Sequence, residues 1–194
     1  MKTDLLLAGV GGQGILSIAA IIAGAAMKNN LYIKQSEVHG MSQRGGDVQS
    51  NIRLSDKPVA SDLIPMGKAD LILSLEPMEA LRYLQNLKKD GYIISNTLPF
   101  KNIPNYPDET AVIAEIKKIK NHILIDVDKI AKEEVGSVRA ANMVLLGAAT
   151  PFLAIEYAKI EDSIREIFGR KGEEVVAMNL KALQVGKKLA DSLK

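Results

Sequence analysis

The chain has no cysteine. Disulfides, cysteine-ligated iron–sulfur clusters and thiol nucleophiles are thereby excluded. It also has no tryptophan, and aromatic residues make up only 4% of it. That leaves too few flat side chains for the stacking platforms of a nucleic-acid binder. The net charge is a modest +2, with Lys and Arg scattered along the chain, so no nucleic-acid partner is expected. His39 and His122 are the only histidines, and neither stands in a metal-ligand spacing, so no metal site is expected. The longest apolar stretch, Ile15 to Met27, is about half of a membrane span, which argues against a membrane role. Lys2 and Asp4 lead straight into a strand pattern, unlike a signal peptide. A cytoplasmic protein is the expectation.

Apolar residues form 47% of the 194 positions, enough for one α/β domain over residues 1–194 with a helical part from about 128 onward. Leu5–Ala8 reads as a buried first strand. Gln13 to Asn29 reads as a helix, apolar nearly all round and hence buried on several sides. Leu31–Val38 reads as a second strand. Asp47–Leu54 alternates polar and apolar, which predicts a strand with one wet face, antiparallel to its predecessor because the loop between them is short. Asp70–Leu75 is a further buried strand. Pro77 opens a helix expected to continue from Met78 to Lys88, and Asp90-Gly91 is expected to turn into a strand over Tyr92–Ser95. Residues 97–108, with three prolines, look like a surface connection. Ala111–Lys120 fits strand or helix, and His122–Val127 is expected as the last strand. Helices are expected over 128–135, 138–149, 160–168 and 173–192. The fold expected is α/β, a Rossmann-like three-layer sandwich with a mostly parallel sheet, an antiparallel hairpin and C-terminal helices.

Ligands of such sheets bind beyond the carboxyl ends of the strands. The segments expected there are 9–14, 36–46, 74–77 and 95–97. Gly9, Gly11 and Gly14 fit G-x-G-x-x-G in a strand–turn–helix setting, where backbone N–H groups and a helix N-terminus favour an anion. A P-loop is excluded because no Gly-Lys-Ser/Thr follows. Glu37 stands where a nicotinamide dinucleotide fold places its ribose-binding acid, so a stand-alone NAD(P)-dependent oxidoreductase is one alternative. A tight turn that binds nothing, in a purely architectural subunit, is another.

Three stretches are more specific: GVGGQG at 9–14, QSEVHGMSQRGGDVQSNIRLS at 35–55 and LEPMEALR at 75–82. With Asn96-Thr97 and RAANMVLLGA at 139–148, they resemble the gamma-type domain of the 2-oxoacid:ferredoxin oxidoreductases. Met41-Ser42-Gln43 points to the beta subunit of the indolepyruvate branch. The resemblance implies oxidative decarboxylation of an aryl 2-oxo acid to an aryl-acetyl-CoA, with electrons passed to ferredoxin. Thiamine diphosphate, magnesium and iron–sulfur clusters carry that chemistry. This chain lacks cysteine, and Gly46-Asp47 is followed by Val48 rather than by the glycine of the family's thiamine–magnesium motif. The resemblance therefore implies a larger alpha subunit that carries those groups, no catalytic residue here, and a coenzyme A site on this chain. It implies contacts from the backbone of Gly9, Gly11, Gly12, Gln13 and Gly14, a further hydrogen bond from the Gln13 side chain, and positive charge from Arg44. Ser36, Glu76 and Asn96 are expected along the same crevice. Each has a plainer reading. Arg44 can tie the hairpin to a partner, Ser36 and Asn96 can cap strand ends, Glu76 can favour its helix start, and His39 is more readily a hydrogen-bonded loop residue than a proton carrier. An isolated chain is expected to self-associate through the patch meant for its partner.

Overall fold

The computed structural model describes residues 1–42, 45–101 and 103–193, of Leu193 the backbone alone. Six strands form one sheet in the order β2-β3-β1-β4-β5-β6. β1 (Lys2–Val10) is central. Leu5, Leu6 and Leu7 have no exposed surface, because helices or chain cover both faces of the sheet; a strand so enclosed reads as a continuous apolar run. β4 (Ala69–Ser74), β5 (Leu87–Asn96) and β6 (His122–Ile125) follow in parallel on one side. On the other side β3 (Asp47–Ser55) runs antiparallel to both β1 and β2 (Tyr32–His39). α1 (Ile15–Lys28) links β1 to β2.

One face packs Leu5, Leu7, Leu71, Leu73 and Ile94 against α1, α5 (Ala141–Ala149), α6 (Tyr157–Phe168) and α7 (Glu173–Leu193). The other packs Leu6, Ala8, Ile72 and Ile93 against α2 (Pro77–Arg82) and α3 (Glu109–Lys117). The stretch fitting both strand and helix thus resolves as α3, capped by Asp108, whose carboxylate accepts the Ala111 N–H at 2.9 Å. α4 (Val127–Ile130) runs on into a wide helical turn at Ala131–Val135, so β6 ends two residues sooner than its apolar run.

Three expectations need correction. β3 has no wet face. Asn51, Arg53 and Ser55 are buried, because the chain after Ser55 folds back over them. The Arg53 guanidinium donates to Asp4 Oδ1 at 2.9 Å and to the carbonyls of Ser61 and Leu63 at 3.1 and 3.0 Å. A buried polar face is tolerated when its groups are paired in this way. The helix after Pro77 stops at Arg82, and a short 3-10 turn at Leu84–Asn86 delivers the chain into β5. Asp90-Gly91 therefore lies within β5. While β4 advances from Ala69 to Leu71, β5 advances from Leu87 to Tyr92, so the extra residues loop out and return without leaving the sheet.

α5 and α7 touch backbone to backbone. A Cβ on Gly147 would lie 2.1 Å from the Leu183 carbonyl oxygen, and one on Gly186 would lie 1.9 Å from that of Val144. No side chain can yield there, so the helices themselves would have to part. Gly147→Ala and Gly186→Ala are each expected to cost roughly 3 kcal/mol or more in chemical denaturation. Gly169→Ala, with open space around its Cβ, is expected to leave stability unchanged or raise it by up to about 1 kcal/mol.

Candidate functional site: the glycine loop and its two clefts

The loop after β1 is shaped by hydrogen bonds on both flanks. On one flank Gly11 N–H donates to the Gly46 carbonyl at 2.8 Å, and Gly45 N–H donates to that of Gly11 at 3.3 Å. These bonds continue the β1–β3 ladder past Val10↔Asp47 and dock the β2–β3 hairpin on the loop. On the other flank the Gln13 carboxamide accepts Val10 N–H at 2.8 Å and donates to the Leu75 carbonyl at 3.1 Å.

Gly12 and Gly14 have φ of +103° and +91°, a region costly for side-chain-bearing residues. Gly14 is the N-cap of α1, with no side-chain cap bond and no acid in the helix's first turn. The N–H groups of Ser17 and Ile18 are taken by the Gly14 carbonyl, which also accepts Asn142 Nδ2 at 3.4 Å. Among the described residues the N–H groups of Gly12, Gly14, Ile15 and Leu16 have no acceptor. A 14-residue helix thus points free donors and its positive end out of the loop.

Two clefts of about 400 Å³ each flank these donors. One is lined by Gly11, Gly12, Leu16, His39, Gly40 and Ser42. The other is lined by Gly12, Gly14, Phe100, Asp128, Arg139 and Asn142. Arg139 has no carboxylate partner among the described residues.

The structure brings Gly9, Gly11, Gly12, Gln13, Gly14 and Asn96 to the ends of the central strands. Gly9 faces inward; a Cβ there would press on Gln13 Oε1 at 2.9 Å. Asn96 is buried and spends its amide on the Leu75 carbonyl, Asp128 and the N–H groups of Leu98 and Val127. Ser36 is not brought to the loop. It sits mid-strand on the opposite face, with its hydroxyl between Asn51 and the Asp62 carbonyl. Arg44 lies outside the described residues. Glu37 is exposed and takes Gln35 Nε2 at 2.6 Å and His39 Nε2 at 3.4 Å.

Phe100, Asp128, Arg139 and Asn142 were given no role by sequence reasoning. Arg139 and Asn142 stand in the quoted stretch 139–148, which was the available signal. Asp128 and Phe100 carried none.

Glu76 is fully buried. Its carboxylate caps α2 through Glu79 N–H at 2.8 Å, accepts Phe100 N–H at 3.4 Å and accepts the Tyr106 hydroxyl. It therefore fastens the connection 97–108 beside the second cleft. Burial pushes the Glu76 carboxyl above its ordinary range, against the pull of these three hydrogen bonds, and the Glu79 charge adds to the rise.

A glycine turn at a helix N-terminus, at the carboxyl edge of a mixed six-stranded sheet, places the chain among the α/β proteins of Rossmann-like build. Residues 4–189 match the family described as pyruvate ferredoxin/flavodoxin oxidoreductase, and the chain belongs to that family. It is 39% identical to the indolepyruvate oxidoreductase subunit IorB of Archaeoglobus fulgidus, over 96% of this chain and 94% of that one. Its fold matches a 2-oxoglutarate:ferredoxin oxidoreductase from Magnetococcus marinus, solved with 2-oxoglutarate, coenzyme A and succinyl-CoA bound. The TM-score is 0.79 at 24% identity, with all of this chain covering 32% of that longer one. The pyruvate oxidoreductase subunit PORC of Thermotoga maritima matches with a TM-score of 0.75 at 21% identity, over 96% of each chain.

A carboxyl whose pKa is raised on folding favours the fold in its protonated form. The Glu76 contribution is thus greatest below the ordinary value of 4.5 and is lost as pH rises above it. Glu76→Gln keeps an acceptor for Glu79 N–H without that titration. The melting temperature of the variant minus that of the wild type is expected to increase from pH 4.5 toward 7, measured by thermal unfolding at constant ionic strength.

Proposed function

We propose that this chain is the smaller, beta-type subunit of a cytoplasmic 2-oxoacid:ferredoxin oxidoreductase of the indolepyruvate class. Its part in that enzyme is to hold coenzyme A by the diphosphate. The carrying observation is the set of free N–H groups on Gly12, Gly14, Ile15 and Leu16, with no acid nearby in α1 to repel an anion. A diphosphate presents several acceptor oxygens and at least two negative charges, which suits diverging backbone donors at a helix N-terminus. Arg139 and Asn142 line the second cleft beside these donors, together with Asp128, whose carboxylate is taken up by Asn96; Arg44 is assigned a further positive charge for the ligand. Support for the acyl-carrier reading comes from the indolepyruvate subunit relative and the fold match to an enzyme with coenzyme A bound.

The redox chemistry belongs elsewhere. A chain without cysteine supplies no thiolate for a cluster. Thiamine diphosphate, magnesium and iron–sulfur clusters are assigned to a larger alpha subunit, from which electrons pass to ferredoxin. Exposed apolar side chains rim the two clefts, among them Leu16, Phe100 and Val138. We assign this rim to the partner, and it is the patch through which an isolated chain self-associates. No described helix is long and apolar enough to cross a membrane.

A nicotinamide dinucleotide is disfavoured by the same geometry. β3 stands between β1 and β2, and the Gln13 carboxamide fills the gap between β1 and β4 where such a ligand would cross.

The test uses the enzyme assembled with its partner. Gly12→Ala and Gly12→Asp share the backbone strain of a positive φ in open space, but only the second adds negative charge. Gly12→Asp is expected to raise the KM for coenzyme A at least about tenfold over Gly12→Ala, the effect of a like charge a few ångströms from a phosphate. Equal KM values in the two variants would favour a purely architectural loop.

A further inference from the structure

At the carboxyl edge of the sheet, one carbonyl is shared by two side-chain amides. Leu75 O, just past β4, accepts from Gln13 Nε2 at 3.1 Å and from Asn96 Nδ2 at 3.3 Å. Gln13 Oε1 reaches back to the last N–H of β1, on Val10, at 2.8 Å. Asn96 ends β5. Its Oδ1 accepts the N–H groups of Leu98 and Val127 at 3.2 and 3.3 Å, and its Nδ2 also donates to Asp128 Oδ2 at 2.8 Å. A single run of hydrogen bonds therefore passes from the end of β1, across β4 and β5, to the start of α4.

The physical reason lies in the strands. Their ends diverge with the twist of the sheet, and the last backbone groups lose their ladder partners. A carboxamide offers a donor and an acceptor together, and can bridge one orphan of each kind. Gln13 does this between β1 and β4 from inside the glycine loop itself. Both ends of its amide are thereby engaged at the edge of the second cleft, while the N–H groups of Gly12 and Gly14 stay without an acceptor among the described residues.

We infer that Gln13, whose side chain lines the second cleft, is a positioning residue for coenzyme A: its amide is committed to Val10 and Leu75 and so holds the donor array of the glycine loop in place. The inference rests on the coenzyme A reading above and replaces the direct contact first expected of this side chain. An array fixed in advance loses no ordering entropy on binding, so loosening it weakens the ligand without altering chemistry on the partner.

The experiment measures KM for coenzyme A and kcat in the assembled enzyme for Gln13→Ala and Gln13→Glu, with Gly12→Asp as reference. Gln13→Ala is expected to raise KM about tenfold, the loss of two bridging hydrogen bonds, with kcat within about twofold. Gln13→Glu keeps the acceptor for Val10 N–H but sets an oxygen against the Leu75 carbonyl unless it is protonated. Its KM, divided by that of the wild type at the same pH, is expected to fall as pH is lowered. If Gly12→Asp raises KM while both Gln13 variants match the wild type, the inference is overturned and the coenzyme A reading stands. If Gly12→Asp has no effect either, the reading itself fails and takes the inference with it. A fall in kcat at unchanged KM, or failure of both Gln13 variants to fold and assemble, would also overturn it.

Discussion

The backbone N–H of Val10 and the carbonyl of Leu75 have to be satisfied across a gap that opens as β1 and β4 part. The Gln13 carboxamide is what satisfies them. Much of the chain's carboxyl edge is arranged around that bridge. Gly9 is free of a Cβ because Gln13 Oε1 lies over it. Leu75 is positioned by Asn96 from the far side. Among the described residues the loop leaves the N–H groups of Gly12, Gly14, Ile15 and Leu16 without an acceptor. Leaving buried backbone groups unpaired costs about 1–3 kcal/mol each, so the edge is held by a requirement rather than by preference alone.

The antiparallel strand β3 gives the family's fold its second constraint. A parallel neighbour would need a helical crossover at the end of the sheet where the glycine loop lies. An antiparallel one returns through a short hairpin, and the hairpin's Gly45 and Gly46 can then bond directly to Gly11. The glycine loop is thus braced by sheet-like hydrogen bonds on one flank and by a side-chain amide on the other. Far down the same ladder, Asp4 and Arg53 pair at 2.9 Å and draw the carbonyls of Ser61 and Leu63 over the face that the alternating pattern had suggested was wet.

Much of this was legible in the sequence. The apolar runs of β1 and β4, the glycine turn and the short β2–β3 connection are local signals, and the strand–turn–helix reading of residues 5–28 follows from them. Arg53 could not be read that way: its partner Asp4 is remote in sequence, and an arginine in an alternating strand looks solvated until something covers it. The β5 boundary was missed because Asp90-Gly91 has turn composition, yet the turn it makes is a bulge within a strand. In the glycine loop, Gly12 and Gly14 answer a positive φ and Gly9 a close approach of Gln13. Ser36 lies within β2, short of its end, and its hydroxyl meets Asn51 and the Asp62 carbonyl rather than the loop. Asn142, whose amide meets the Gly14 carbonyl, is separated from it by most of the chain.

That last contact carries a consequence for synthesis. Asn142 belongs to α5, and α5 is seated directly on the backbone of α7 through Gly147 and Gly186. The rear brace of the glycine loop therefore depends on α7, a helix far along the sequence from it. A nascent chain can pair β1 with β3 early, but the glycine loop lacks its brace on that side until α7 has been made.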